Sequence, residues 1–138
     1  MANYLIIGGS SGIGKALAEQ LAKEGHQVFA TYNQHPLTSP SIHYHPLNVL
    51  SDSLELDFVP DMLDGIAYCP GSINLKPFHR IKPAAFIEDF ELQVVGAIKI
   101  IQAVLPNLKK STQASILFFS TVAVQTGFNF HTQECSKI

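Results

Sequence analysis

Cysteine is scarce in this chain. Its 138 residues include two, Cys69 and Cys135, with no Cys-X-X-Cys spacing and no second pair. Disulfide scaffolds are rich in cysteine, and zinc sites use closely spaced cysteine and histidine ligands. The sequence therefore predicts two reduced thiols rather than a disulfide framework or a cysteine metal site.

A strong charge of either sign and long apolar runs are also missing. The formal net charge is −2, so nothing indicates binding to nucleic acid or to an anionic membrane surface. No apolar run approaches the roughly 20 residues that span a bilayer, and the chain enters its first strand without a signal-peptide layout. We expect a soluble, cytoplasmic protein with no nucleic-acid or membrane partner.

Two histidines alternate on a predicted strand. His43 and His45 stand at i and i+2, a spacing that places both side chains on one face. A metal site needs a third ligand, and none lies nearby in the sequence. We therefore expect strand histidines near a surface and no metal.

Length and pattern indicate one α/β domain over residues 1–138. With 46% hydrophobic residues the chain can bury one core. An amphipathic helix is predicted over residues 12–24, and a longer helical region, interrupted once, over residues 83–108. Short apolar runs predict strands at residues 4–7, 27–32, 42–45, 64–68 and 115–119. This alternation is typical of a Rossmann-type doubly wound parallel sheet with helices on both faces. For the first helix, the predicted inward stripe is Ile13, Ala16, Leu17, Gln20 and Leu21.

The most informative stretch is residues 3–14, which read NYLIIGGSSGIG. A short strand ends at a glycine cluster and a helix begins at once, which is the context of a dinucleotide-phosphate site. Glycine permits positive φ and leaves the first N–H groups of the helix free of side chain, so these groups and the helix dipole can hold a diphosphate. The predicted cofactor-binding residues of this glycine motif (residues 8–14) are Gly8, Ser10, Ser11, Gly12, Ile13 and Gly14.

This motif resembles that of the short-chain dehydrogenases/reductases. Gly8, Gly12 and Gly14 match the family glycines, whereas Ile7 takes the place of a threonine whose hydroxyl braces the turn, so looser cofactor binding is expected. The resemblance covers nearly the whole chain but only about half of the family fold, which implies a sheet truncated after about the fifth strand. It implies hydride transfer between NAD or NADP and a small carbonyl or alcohol substrate.

The end of the second strand is where this fold reads the adenosine ribose. An acid there favours NAD and an arginine favours NADP, but the chain has Tyr32 and Asn33. The choice stays open, with a slight lean to NADP because no charge repels the phosphate. Asn48 and Val49 look like the family's adenine-contacting pair of an aspartate and an apolar residue. The alternative for Asn48 is an ordinary turn residue.

The turn after the fourth strand, Cys69, Pro70 and Gly71, lies where the family usually ends an Asn-Asn-Ala-Gly motif. Gly71 alone is retained, with Tyr68 in the place of the first asparagine. A turn of small residues at the carboxyl end of a strand still suits close approach of a cofactor.

The resemblance implies four catalytic positions. Ser120 or Thr121 takes the place of the serine that binds the substrate oxygen, according to whether Gln133 or Glu134 marks the next motif; the alternative is a hydroxyl that caps local backbone. Gln93 takes the place of an asparagine that kinks the helix and supports a water. Lys137 takes the place of the family lysine, and Gln133 takes the place of the tyrosine that passes the proton. An amide cannot do that acid–base work.

The long helical region has apolar residues on more than one stripe. We therefore expect a homodimer or homotetramer that pairs through the helix from Glu88 to Leu108, a helix that the family also uses for pairing. Two other interpretations stay open. One is a catalytically silent nucleotide-binding or assembly module, and the other is a flavodoxin-like or methyltransferase-type domain, which the glycine motif disfavours.

Overall fold

One parallel sheet organises the chain. A computed structural model describes residues 1–72, 76–122 and 125, and its strands pair in the order β3-β2-β1-β4-β5. The chain builds outward from β1 to β3 and then crosses back to β4, so the predicted doubly wound fold is confirmed. The strands are β1 (Asn3–Ile7), β2 (Gln27–Tyr32), β3 (Ile42–Pro46), β4 (Gly65–Tyr68) and β5 (Ser115–Phe118).

In the part of the chain that the structure describes, three α-helices and two short helical segments accompany the sheet. The predicted single interruption of the long helical region is a π-helical segment over Glu91–Val95, called the π turn below. π-helical segments are rare in proteins, and those that do occur often lie at functional sites. The α-helices are α1 (Gly12–Lys23), α2 (Pro83–Phe90) and α3 (Gly96–Leu108), and Phe78–Arg80 forms a 3₁₀ turn.

The core lies on both faces of the sheet because neighbouring strand residues point to opposite sides. On one face Leu5 and Ile7 pack in a cluster with Ile100 of α3. On the other face Ile6 packs with Ala18 of α1. The sheet is therefore covered by α3 on one side and α1 on the other, as its nearly continuous apolar strands require.

The predicted inward stripe of α1 is partly wrong. Leu17 packs inward as expected, but Ile13 is 61% exposed, and Ala16 and Gln20 are exposed too. The buried positions of this helix are Gly14 and Ala18. A Cβ at Gly14 would lie 2.1 Å from the Gly8 carbonyl oxygen, so this close backbone contact sets the rotation of the helix.

The two strand histidines stack on phenylalanines. The His43 ring lies 5.0 Å from Phe29 and the His45 ring 4.1 Å from Phe58, centroid to centroid. Burial, and then the neighbouring His43, lowers the pKa of His45. Within residues 1–72, 76–122 and 125, no group of three metal-ligating side chains comes together, and no helix is long and apolar enough to cross a membrane.

Asp64 ties the segment before β4 to two others. Its Oδ2 accepts the Asn3 N–H at 2.8 Å, and its Oδ1 accepts the Ser111 hydroxyl at 2.7 Å. The backbone bond first, and then the hydroxyl, lowers the pKa of this carboxyl. The ionised form therefore favours the folded state.

We predict that Asp64→Asn lowers the free energy of unfolding by about 1 kcal/mol at pH 7. The folded pKa lies below the unfolded value of about 3.9, so the contribution is complete above that value and is lost as pH falls through the folded pKa. Urea unfolding between pH 7 and pH 3 should show the two proteins converging in acid. Asp61→Asn is the matched control, since that side chain is 87% exposed beside Lys110; a difference independent of pH would contradict this role for Asp64.

Candidate functional site

Apart from Gln93, which lies in the π turn, the described candidate residues lie where the strands end. The glycine motif follows β1, Asn33 follows β2, and Asn48 follows β3. Residues 69–71 follow β4, and Ser120 comes two residues after β5 ends. Because all five strands are parallel, these segments share the carboxyl edge of the sheet, where such folds bind ligands.

The glycine motif is built by close backbone contacts. Gly8 and Gly12 have φ of +76° and +54°, which favour glycine. A Cβ at Gly8 would lie 3.0 Å from the Pro70 nitrogen, and one at Gly14 would lie 3.1 Å from the Cys69 Cβ. The motif is therefore packed directly against the turn after β4, and side chains at these two glycines would separate them.

The start of α1 suits an anion. Ser11 is the N-cap in extended conformation, its side chain makes no capping hydrogen bond with the described part of the chain, and no acidic residue occupies the first turn. The first N–H groups of a helix lack intrahelical acceptors, and the helix dipole is positive there. Ser11, Gly12 and Ile13 are all exposed, so a diphosphate can reach these groups.

Thr31 supplies the hydroxyl brace that Ile7 cannot provide. The Gly8 N–H donates to Thr31 Oγ1 at 3.0 Å, and the Gly9 N–H donates to the Thr31 carbonyl at 2.9 Å. The Tyr44 hydroxyl donates to the Gly9 carbonyl at 3.1 Å. Sequence reasoning missed this brace because Thr31 lies on β2, more than 20 residues away in the chain.

A pocket of about 440 Å³ opens at the ends of β2 and β3. It brings together Asn33 and Asn48, both predicted cofactor residues, and adds Glu55, which sequence reasoning missed. Glu55 lies in a stretch without regular structure, so no periodic pattern pointed to it. The lining residues are Tyr32, Asn33, Pro46, Leu47, Asn48, Ser51, Ser53 and Glu55.

Asn48 has the turn role that was its alternative. Its Oδ1 accepts the Leu50 N–H at 3.0 Å, as an asparagine does when its side chain closes a turn. Lys99 of α3 donates to the carbonyls of Val49 at 3.3 Å and Ser51 at 2.6 Å. The segment after β3, which lines the pocket at Asn48 and Ser51, is thus anchored to α3, and Val49 is buried.

Gln93 reaches the turn after β4. Its Nε2 is buried, has no hydrogen-bond partner in the described chain, and lies 4.0 Å from the position of a Cβ on Gly71. The predicted residues Cys69, Pro70 and Gly71 therefore lie close to Gln93.

Burial raises the pKa of the Cys69 thiol to about 11, so this cysteine stays protonated and is no nucleophile near neutral pH.

The two candidate hydroxyls come next to this turn. Tyr68 pairs with Phe118 in the parallel register, so Pro70 and Ser120 each stand two residues beyond a paired position. Ser120 is exposed and Thr121 half-buried. Lys137, Gln133 and Glu134 lie outside the described residues, as does Cys135.

The family assignment rests on a match along nearly the whole sequence. The sequence model of the family described as short chain dehydrogenase matches residues 2–137. The chain belongs to this family. The family activity is that of an oxidoreductase.

Two relatives are similar over nine-tenths of this short-chain dehydrogenase chain. Human retinol dehydrogenase 8 is 29% identical over 144 residues, covering 92% of the chain and 46% of that protein. An uncharacterised oxidoreductase of Schizosaccharomyces pombe is 26% identical over 141 residues, covering 90% of the chain and 56% of that protein. The chain thus spans about half the length of these relatives.

Solved structures carry the same fold. A short chain dehydrogenase family protein from Francisella tularensis has a TM-score of 0.88 and 26% identity, over 99% of this chain and 58% of that one. A short chain dehydrogenase from Shigella flexneri in complex with NADP has a TM-score of 0.85 and 23% identity, over 99% and 66%. The second likeness shows the fold alone.

We predict that Thr31→Val weakens the glycine motif. Valine keeps the shape of this fully packed side chain but leaves the Gly8 N–H without its acceptor, which should lower the unfolding free energy by about 1–3 kcal/mol. Thr31→Ser, which keeps the hydroxyl, should retain most of the stability. Urea unfolding of the three proteins measures this, and equal losses for valine and serine would show that the hydroxyl does not brace the turn.

Proposed function

We propose that this chain binds NAD or NADP and forms the nucleotide-binding part of an oxidoreductase that transfers hydride between nicotinamide and a small carbonyl or alcohol. The observation that carries the proposal is the direct packing of the glycine motif against the turn after β4. It holds the start of α1, where Ser11, Gly12 and Ile13 are exposed, at the carboxyl edge of the sheet.

The residues at the carboxyl edge of the sheet would fit a dinucleotide whose adenosine lies at the ends of β2 and β3 and whose nicotinamide lies beyond β4. The pocket beside Asn33 and Asn48 has the size and lining for adenosine, and the first turn of α1 has free N–H groups for the diphosphate. Residues 69–71, with Gln93 and Ser120 nearby, would then hold the remaining, nicotinamide half. When bound, the cofactor supplies the hydride.

The chain's own residues would orient the substrate and hold the cofactor. Ser120 or Thr121 would hydrogen-bond the substrate oxygen, Gln93 would support a water, and Lys137 would hold the ribose, as the family resemblance implies. Gln133 has no acidic proton at the place of the family tyrosine. Turnover by this chain therefore requires a proton donor from elsewhere.

Gln133 also favours a second candidate function. A chain that keeps the phosphate site but lacks the tyrosine suits a catalytically silent nucleotide-binding or assembly module. The two functions share cofactor binding and differ in turnover.

The test is titration of the whole chain with NADPH and NADH, following cofactor fluorescence, with light scattering on the same sample. Micromolar binding by a dimer or larger assembly supports the cofactor site and justifies assays with carbonyl substrates. Binding without turnover of any of them would favour the silent module. Failure to bind either cofactor would overturn the proposal.

Cofactor choice depends on two residues of one pocket. Asn33 carries no charge to repel a 2′-phosphate, which is the basis of the slight lean to NADP. The structure adds Glu55 to the same wall, and a carboxylate opposes a phosphate and accepts from a ribose diol. We infer that Glu55 limits the affinity for NADPH and leaves little discrimination between the two cofactors.

We predict that Glu55→Lys raises the affinity for NADPH by roughly 5- to 10-fold and changes that for NADH by less than about twofold, because a repulsion becomes an attraction at a solvated site. Parallel fluorescence titrations measure both. Glu24→Lys, the same charge change at the far end of α1, should alter neither. Equal shifts for both cofactors would place the 2′-phosphate away from Glu55.

Self-association has a candidate surface on the long helical region. Ile98 is 49% and Leu105 is 38% exposed on α3, and Ile87 and Phe90 of α2 are exposed at 60% and 48%. These residues follow helical spacing along one side, apart from the core residues Ile100 and Val104. This second apolar stripe supports the proposed homodimer or homotetramer.

We predict that Ile98→Glu shifts the assembly to monomer at concentrations where the unmodified chain pairs, since a charge would be buried in the interface. Light scattering at matched concentrations measures the mass. Met62→Glu, at another exposed apolar residue (41%), is the control and should leave the mass unchanged. An unchanged mass for Ile98→Glu would exclude this helix as the interface.

A further inference from the structure

Tyr68 joins the last residue of β4 to the π turn. Its side chain is buried, with 5% of its surface exposed, and its hydroxyl donates to the Leu92 carbonyl at 2.5 Å. Burial raises the pKa of the phenol well above its usual value. The hydroxyl therefore keeps its proton and remains a donor across the working pH range.

Gly96, the first residue of α3, lies directly against the Tyr68 hydroxyl. A Cβ on Gly96 would lie 2.5 Å from Tyr68 Oη and 3.3 Å from the Val49 Cβ. The helix approaches β4 this closely because residue 96 has no side chain. Tyr68 and Gly96 thus form one contact, which holds both ends of the π turn against the sheet.

The residue after Leu92 is Gln93, whose side-chain amide lacks a hydrogen-bond partner for its nitrogen in the described part of the chain. Its buried Nε2 has no hydrogen-bond partner in the described residues and lies close to Gly71. Leaving a buried donor without a partner is costly, and such a group needs an explanation. A polar group of a ligand that lies over residues 69–71 would provide the partner.

We propose that Tyr68 is a positioning residue: its hydrogen bond to Leu92 sets the π turn so that the Gln93 amide faces the nicotinamide half of the dinucleotide. This inference rests on the proposed function, because it assumes that a dinucleotide occupies the site. It is a property of this chain, since Tyr68 stands where the resembled family usually has asparagine.

Two ligands distinguish a positioning role of Tyr68 from a general loss of nucleotide binding. NADH carries the nicotinamide, whereas ADP-ribose carries the adenosine and diphosphate without it. Tyr68→Phe should weaken NADH binding about fivefold, the loss expected for one hydrogen bond, and change ADP-ribose binding by less than about twofold. Fluorescence titration measures NADH, and calorimetry measures ADP-ribose.

A matched control is Tyr44→Phe. The Tyr44 hydroxyl donates to Gly9 in the glycine motif, so its loss should weaken both probes by the same factor. Gln93→Ala should reproduce the selective loss of NADH affinity in the unmodified chain and add nothing in the Tyr68→Phe background. Additive losses would show that the two residues act independently and would overturn the proposal.

Stability provides a readout that needs no cofactor. Gly96→Ala should be strongly destabilising because its Cβ meets Tyr68 Oη, and much of that cost should disappear in the Tyr68→Phe background. Additive effects in urea unfolding would overturn the contact on which the proposal stands. Equal weakening of NADH and ADP-ribose by Tyr68→Phe, or no weakening of either, would also overturn it. If the unmodified chain bound neither probe, the proposed function would fail first and this inference with it.

Discussion

The candidate site depends on the contact between two glycines. At Gly14 a Cβ would lie 2.1 Å from the Gly8 carbonyl oxygen, so the first turn of α1 rests directly on the turn after β1. This contact places the helix N-terminus at the carboxyl edge of the sheet and also selects which face of α1 is buried. The proposed phosphate site and the packing of α1 therefore share one constraint, and a side chain at residue 14 would disturb both.

Much of the fold could be predicted from the sequence because several of its strands are short apolar runs that end within two residues of a glycine, proline or asparagine. The run before Gly8 and the run before Pro70 mark β1 and β4 in this way. The rotation of α1 could not be predicted, since hydrophobicity alone makes Ile13 an inward residue. A backbone contact decides instead, and it leaves that side chain 61% exposed.

The polar partners of the site were harder to predict than its backbone. Thr31 braces Gly8 from the neighbouring strand, and Glu55 enters the pocket from an irregular stretch. Neither residue belongs to a recognisable motif, so only the folded chain shows that they lie beside the site. Gln93 was predicted from the resemblance, but the hydroxyl of Tyr68 that binds the preceding carbonyl has no signature in the sequence.

Binding and turnover are separable in this chain because different segments carry them. The glycine motif and the pocket with Glu55 are built by β1, β2, β3 and the connections that follow these strands. The positions to which the resemblance assigns substrate binding and proton transfer come after β5, at Ser120 or Thr121, Gln133 and Lys137. By the family resemblance, the glutamine at residue 133 removes the acid that would pass the proton. The enzyme and the silent module therefore predict the same cofactor binding, and proton transfer to a substrate oxygen is the step that distinguishes them.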